Sequence, residues 1–133
     1  RIAEQRGCIT TLGGRKCHFD LWESVGYLHD EKQAPLPLQE AKDKYGDNLK
    51  RSFTYKALNK LIQGSAADMT KLAMRDLWKE GLVPHIQIHD ELDYSIFNKG
   101  QAEIVIDRMV NCVKMRVPLV VDYESGSNWG EAE

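Results

Sequence analysis

Cysteine is scarce in this chain, with three among 133 residues. Cys8, Cys17 and Cys112 form an odd, widely spaced set, which excludes a disulfide framework and suits a reducing compartment. No Cys-x-x-Cys pair is present, so Cys8, Cys17 and His18 make a poor zinc set, and Cys112 reads as core packing in a helical pattern. Long apolar runs are missing too. None approaches the roughly 20 residues that cross a bilayer, so no membrane partner is expected. Residues 1–6 are followed by no apolar core, so they are not expected to be a secretory signal, and the absent initiator Met reads as a piece of a longer chain. Repeats and low-complexity tracts are lacking as well. Neither sign of charge dominates: 18 Lys and Arg stand against 20 Asp and Glu, a formal net charge of −2, which by itself argues weakly against a nucleic-acid partner.

What is present is a globular composition, 42% hydrophobic and 29% charged, with length for one core. The charges are unevenly spread. Arg1, Arg6, Arg15 and Lys16 face only Glu4 in the first sixteen residues. Residues 42–60 carry Lys42, Lys44, Lys50, Arg51, Lys56 and Lys60 against Asp43 and Asp47, while Asp122, Glu124, Glu131 and Glu133 make the tail acidic. This asymmetry permits a phosphate-facing surface.

The chain is organised around residues 84–97. Ile86 and Ile88 alternate with polar residues, as do Leu92, Tyr94 and Ile96, which predicts two half-buried strands. Between them His89-Asp90-Glu91 forms the tip, with no Gly, Asn or Pro to ease the turn. Neighbouring carboxylates repel, and a cation beside them would offset that repulsion. A hard ion such as Mg²⁺ takes one or two carboxylates plus phosphate and water. A plain solvated acidic turn is the competing reading.

Residues 1–6 read as the end of a helix stopped by Gly7, and residues 8–12 as a strand turned by Gly13-Gly14 towards Arg15-Lys16. That turn could hold a phosphate through Arg15, or simply expose its cations. Residues 18–51 read as a surface excursion with short helices, anchored by Trp22, Val25, Tyr27 and Leu28, broken at Pro35-Leu36-Pro37, with a helical turn or two from Glu40 to Tyr45 ended by Gly46. Residues 52–80 carry the strongest helical signal. Leu58, Leu61, Ile62, Met69, Leu72, Ala73 and Leu77 make one stripe, Ser52 or Thr54 caps it and Gly81 ends it. Gly64 lies inside that helix, where it costs about 1 kcal/mol against Ala, and Ser65-Ala66-Ala67 follow. The thin section admits a close neighbour, either another part of the protein or a ligand. Asn59 and Gln63, four apart beside it, offer amides that donate and accept. A second helix is predicted over residues 99–115, with Ala102, Val105, Ile106, Met109, Val110 and Val113 buried, then a strand over 117–123, and a terminal turn in which Trp129 pins the tail. The order predicts an α+β fold, an antiparallel sheet with helices packed on one face.

Three stretches in order are similar to the C-terminal part of family A, DNA polymerase I-like, DNA polymerases of bacteria and phages: Asn59-Lys60-Leu61-Ile62-Gln63-Gly64-Ser65-Ala66-Ala67-Asp68, Ile88-His89-Asp90-Glu91-Leu92, and Val117-Pro118-Leu119-Val120-Val121 with Ser125-Gly126-Ser127-Asn128-Trp129. Gly7-Cys8-Ile9-Thr10-Thr11-Leu12-Gly13-Gly14-Arg15 also resembles the segment after the nucleotide-binding finger helix. The resemblance implies that residues 1–133 are one palm segment of an enzyme that adds deoxynucleotides to a primer 3′ end, in the cytoplasm of a bacterium or phage-infected host. It implies Asp90 as metal-binding and catalytic carboxylate and Glu91 as its secondary partner. His89 falls near the primer terminus, and Asn59 and Gln63 on the duplex minor groove, where amide donors test pairing geometry rather than sequence. Lys56 and Arg15 join the DNA-binding set. Where many relatives have an Arg four residues before Asn59, this chain has Tyr55, with Lys56 beside it.

The family uses two Mg²⁺ ions held by two aspartates. The first of these, and the finger helix for the deoxynucleoside triphosphate, would lie upstream of Arg1. The chain therefore offers at most a partial metal site, is expected to be inactive alone, and would need an upstream polymerase fragment. A non-catalytic nucleic-acid-binding or oligomerising remnant is the alternative. A small phosphohydrolase built on His89-Asp90 would need ligands that His18, His29 and His85 do not supply as a recognisable set.

Overall fold

A computed structural model describes residues 1–26 and 34–132; Tyr27, Leu28, His29 and Glu133 lie outside the described residues. The chain divides into two compact units, Arg1–Ser65 and Ala66–Glu133. The fold is α+β, as expected, and among the described residues the strands form three small antiparallel sheets rather than one.

In the first unit, helix α1 (Ile2–Arg6) stops at Gly7, whose φ of 69° is the left-handed conformation that glycine reaches without a Cβ penalty. Strands β1 (Cys8–Thr10) and β2 (Lys16–His18) pair as a hairpin with Cys8 opposite His18, so Gly13-Gly14 does turn the chain. A side chain on Gly7 would meet the Arg51 guanidinium at 2.7 Å. That guanidinium donates to the Phe19 carbonyl at 2.8 Å and stacks 4.4 Å from the Trp22 ring. One cation thus ties the helix stop to the second sheet, a contact worth about 1 kcal/mol or more where water is excluded.

That second sheet lies within residues 18–51. Among its described residues the segment carries a short helix, α2 (Leu38–Tyr45), with β3 (Leu21–Ser24), β4 (Leu36–Pro37) and β5 (Leu49–Arg51) in the order β4-β3-β5. Pro37 sits in β4, an edge strand, where its missing N–H costs no ladder bond. Ser52 is buried and donates to Glu23 Oε2 at 2.7 Å, so it closes this sheet and does not cap the long helix. The chain enters that helix through a 3-10 turn (Thr54–Lys56) running directly into α3 (Ala57–Lys79).

The stripe read along α3 is buried only in part. Ala73 and Leu77 are core, but Leu58 and Ile62 are 68% and 60% exposed. Gly64 is explained by packing. An added Cβ would lie 2.8 Å from Thr11 Cγ2, the Leu12 amide donates to Ser65 Oγ at 3.0 Å, and Arg15 Nη2 donates to the Gly64 carbonyl at 2.8 Å. The close neighbour is the turn of the β1–β2 hairpin.

In the second unit, α3 ends in a Schellman motif. Gly81, at φ 78°, donates to the Trp78 carbonyl, and Leu82 donates to that of Leu77. Strands β6 (Ile86–Ile88) and β7 (Glu91–Asp93) form the expected hairpin, though Ile86 and Ile88 are exposed. Helix α4 (Lys99–Asn111) buries Ala102 and Val105 and ends four residues short of the predicted Met115. Asn98 caps its start by accepting from the Gln101 amide, and Gln101 Oε1 accepts from the Phe97 amide. Among the described residues, 117–123 form no paired strand, and Trp129, 67% exposed, does not pin the tail.

The Gly64 packing sets a clear expectation. Thr11 is buried and its Oγ1 accepts from the Arg15 amide, so its methyl cannot swing aside. Gly64→Ala, which raises helix propensity, is therefore expected to lose about 1–3 kcal/mol by denaturant unfolding, the cost of overpacking. A gain in stability would show that the hairpin turn does not occupy this notch.

Candidate nucleic-acid and metal-binding residues

The amide pair is built by α3. Asn59 and Gln63 are exposed one turn apart, with Leu58 and Ile62 exposed beside them. Lys60 and Gly64, each one residue further on and about 100° around the helix, face the hairpin side. Lys60 Nζ lies 3.6 Å from Cys17 Sγ and 5.6 Å from the Phe19 ring centre. Lys56 stands over two aromatic faces, 5.0 Å from the Phe53 ring centre and 5.5 Å from that of Tyr55. Arg15, exposed, bonds the Gly64 carbonyl. Asn59, Gln63, Lys56 and Arg15 thus belong to one compact unit.

The carboxylates belong to the other. Pairing of Ile88 with Glu91 leaves a two-residue turn of His89 and Asp90, so Glu91 opens the return strand instead of sharing the tip. His89 supplies what Gly or Asn would have, with a φ of 51°. Histidine is among the residues enriched in this left-handed region. The Gln87 side-chain amide donates to the His89 carbonyl, and His85 Nε2 lies 3.0 Å from Ser95 Oγ further down the hairpin. His89, Asp90 and Glu91 are all exposed.

Two exposed, adjacent carboxylates match the donor chemistry of a hard divalent ion that takes its remaining ligands from elsewhere. Among the described residues, no group of three or more His, Cys, Asp or Glu side chains could hold a metal.

The hairpin also holds groups not foreseen from the sequence. Asp93 Oδ2 and the Tyr94 hydroxyl are buried without a hydrogen-bond partner among the described residues. Burial pushes the Tyr94 hydroxyl up to about 12. Elsewhere in this unit Asp76, Lys79, Glu80, Arg108, Asn111 and Cys112 line a hollow of about 310 Å³. Arg108 bonds Glu80 and Asp107 there, each at 2.7 Å. The Arg75 side chain, donating to Asp76, holds that carboxyl below its ordinary range. These charges satisfy one another.

With this geometry in view, the comparisons assign a family. The pattern of DNA polymerase family A matches residues 1–131. The chain is 36% identical over 130 residues to a DNA-directed DNA polymerase of Pseudomonas phage M6, covering 98% of this chain and 16% of that protein. It is 35% identical over 137 residues to DNA polymerase I of Synechocystis sp., with 96% and 14% covered. Against DNA polymerase I of Bacillus subtilis it is 38% identical over 143 residues, with 98% and 14% covered. The chain belongs to DNA polymerase family A. It spans 14–16% of the length of these relatives. Among the described residues, no helix is long and apolar enough to cross a membrane.

Tyr94 gives this hairpin a testable pH dependence. Its folded value of about 12 lies above the ordinary 10.0, so the ionised hydroxyl is penalised more in the fold than in the unfolded chain, and stability falls as pH rises from 10 to about 12. Alkaline unfolding followed by circular dichroism should show this loss in the native chain and not in Tyr94→Phe. At neutral pH the Phe variant should gain about 1 kcal/mol by removing an orphaned hydroxyl. Identical alkaline curves would contradict the burial.

Proposed function

We propose that the chain is the C-terminal palm part of a template-directed DNA polymerase, extending a primer 3′ end with deoxynucleotides in the cytoplasm of a bacterium or phage-infected host. The observation that carries this reading is the presentation of Asp90, exposed, at a two-residue hairpin apex whose left-handed position is taken by His89 rather than Gly.

In this reading Asp90 is the metal-binding carboxylate and Glu91, one residue along and out of the turn, its secondary partner. Mg²⁺ held there would supply Lewis-acid stabilisation of phosphoryl charge. His89 lies against the primer terminus. Asn59 and Gln63 present donors to the minor-groove acceptors shared by all correct pairs, so a distorted pair loses hydrogen bonds. Lys56 adds positive charge to the same unit, which favours a phosphate backbone.

Since Asp90 and Glu91 make only part of a two-ion site, the chain alone is expected to bind primer-template DNA and not to extend it. An upstream polymerase fragment supplying the other aspartate and the deoxynucleoside triphosphate site should restore Mg²⁺-dependent synthesis. Asp90→Asn should then reduce the restored rate on the order of a thousandfold, the size of several kcal/mol of charge stabilisation. Robust extension by the chain alone would refute this account, as would restored synthesis indifferent to Asp90→Asn. DNA binding with no restoration by any upstream fragment would favour the non-catalytic remnant.

A further inference from the structure

We propose that Arg15 is a positioning residue for pairing-geometry readout. It would hold the α3 turn that carries Asn59 and Gln63, and the inference rests on the reading above that those amides touch the duplex. Its Nη2 donates at 2.8 Å to the carbonyl of Gly64, the residue next to Gln63. Its own amide donates at 3.1 Å to Thr11 Oγ1, which aims the Thr11 methyl into the space over Gly64. The Leu12 amide donates to Ser65 Oγ at 3.0 Å, and Lys60 contacts Cys17 and Phe19. These contacts join one stretch, residues 11–19, to one helix segment, residues 60–65. They grip the side of the helix adjacent to the amides and leave the amides exposed. A minor-groove reader has to hold its donors still, because a donor that follows a distorted pair cannot reject it. The planar fork of Arg suits the grip, since it bonds a fixed carbonyl with little entropy loss.

This role differs from a phosphate contact, and the two predict different salt behaviour. A cation that neutralises a phosphate lowers the slope of log K against log salt by about one when removed, whereas a positioning residue does not. The experiment uses the complete polymerase that carries this segment. It compares Arg15→Gln, Arg15→Lys, Ser65→Ala and the Arg15→Gln/Ser65→Ala double variant with Asn59→Ala/Gln63→Ala. The readouts are primer-template affinity across salt and extension of mispaired relative to paired primer ends.

Arg15→Gln and Ser65→Ala should each raise the relative extension of mispaired ends about fivefold, the scale of one lost hydrogen bond. The double variant should add little, because both changes loosen one joint. Arg15→Lys should recover part of the discrimination, and the salt slope should stay unchanged. Ser65→Ala removes only a hydroxyl, so it remains informative if Arg15→Gln fails to fold. A slope reduced by about one in Arg15→Gln, with Ser65→Ala silent, would make Arg15 a phosphate contact and overturn the proposal. If Asn59→Ala/Gln63→Ala changes discrimination while Arg15→Gln and Ser65→Ala do not, only this inference fails. If Asn59→Ala/Gln63→Ala is itself silent, the minor-groove reading fails, and this inference with it.

Discussion

The first unit depends on a steric constraint: the missing side chain at Gly64 leaves a space that the Thr11 methyl fills. Glycine within a helix costs about 1 kcal/mol of propensity, and the contact it admits has to outweigh that. It does so by letting a β-turn come within hydrogen-bonding reach of a helix backbone. Ser65 Oγ then takes up the Leu12 amide and the Gly64 carbonyl takes a second donor from Arg15, so the exposed end of the hairpin is held. Gly7 repeats the device a short way along the chain. Its bare Cα leaves room for the Arg51 guanidinium, which reaches Phe19 and Trp22 from there.

Both candidate surfaces follow a common logic, in which stiff local frames carry solvated functional groups. On α3 the amides stand free while the neighbouring turn of helix is gripped through backbone and short side chains. On the β6–β7 hairpin, Asp90 stands free while Gln87 and the paired strands hold the bend. Rigidity of this kind lets a polar group act on a partner without first losing entropy of its own. The buried, unpartnered atoms of Asp93, which ends the ladder opposite Ile86, and of Tyr94 just beyond it reduce the stability of the hairpin. Other ionic groups of the second unit, Asp76, Glu80 and Arg108 among them, are spent on one another.

Much of this was legible in the residues. The 3.6-residue period and Gly81 marked α3 and its end, because a left-handed stop and a helical repeat are both local properties. The α+β order, the Gly-Gly turn and the His89 hairpin were legible for the same reason, as was the family, since its motifs run contiguously along the chain. Less legible was which apolar residues would find partners. Leu58 and Ile62 share the period of Leu77 yet remain exposed, because period reports a face and not what covers it. Residues 117–123 have strand composition but pair with no strand among the described residues, since a strand exists only through a neighbour's hydrogen bonds. Ser52 looked like a cap and proved to be a sheet fastener, because Glu23 lies 29 residues away in sequence and 2.7 Å away in space.

By itself the sequence determined the α+β class, the principal helices, the glycine stops, the candidate amides and carboxylates, and the family, all of which follow from short-range patterns. Only the tertiary structure decided that Gly64 receives Thr11, that Arg15 serves the Gly64 carbonyl, that Glu91 leaves the turn and that residues 18–51 hold a sheet. Each of those depends on atoms brought together from distant positions or on the register of a ladder, and neither is set until the chain closes on itself.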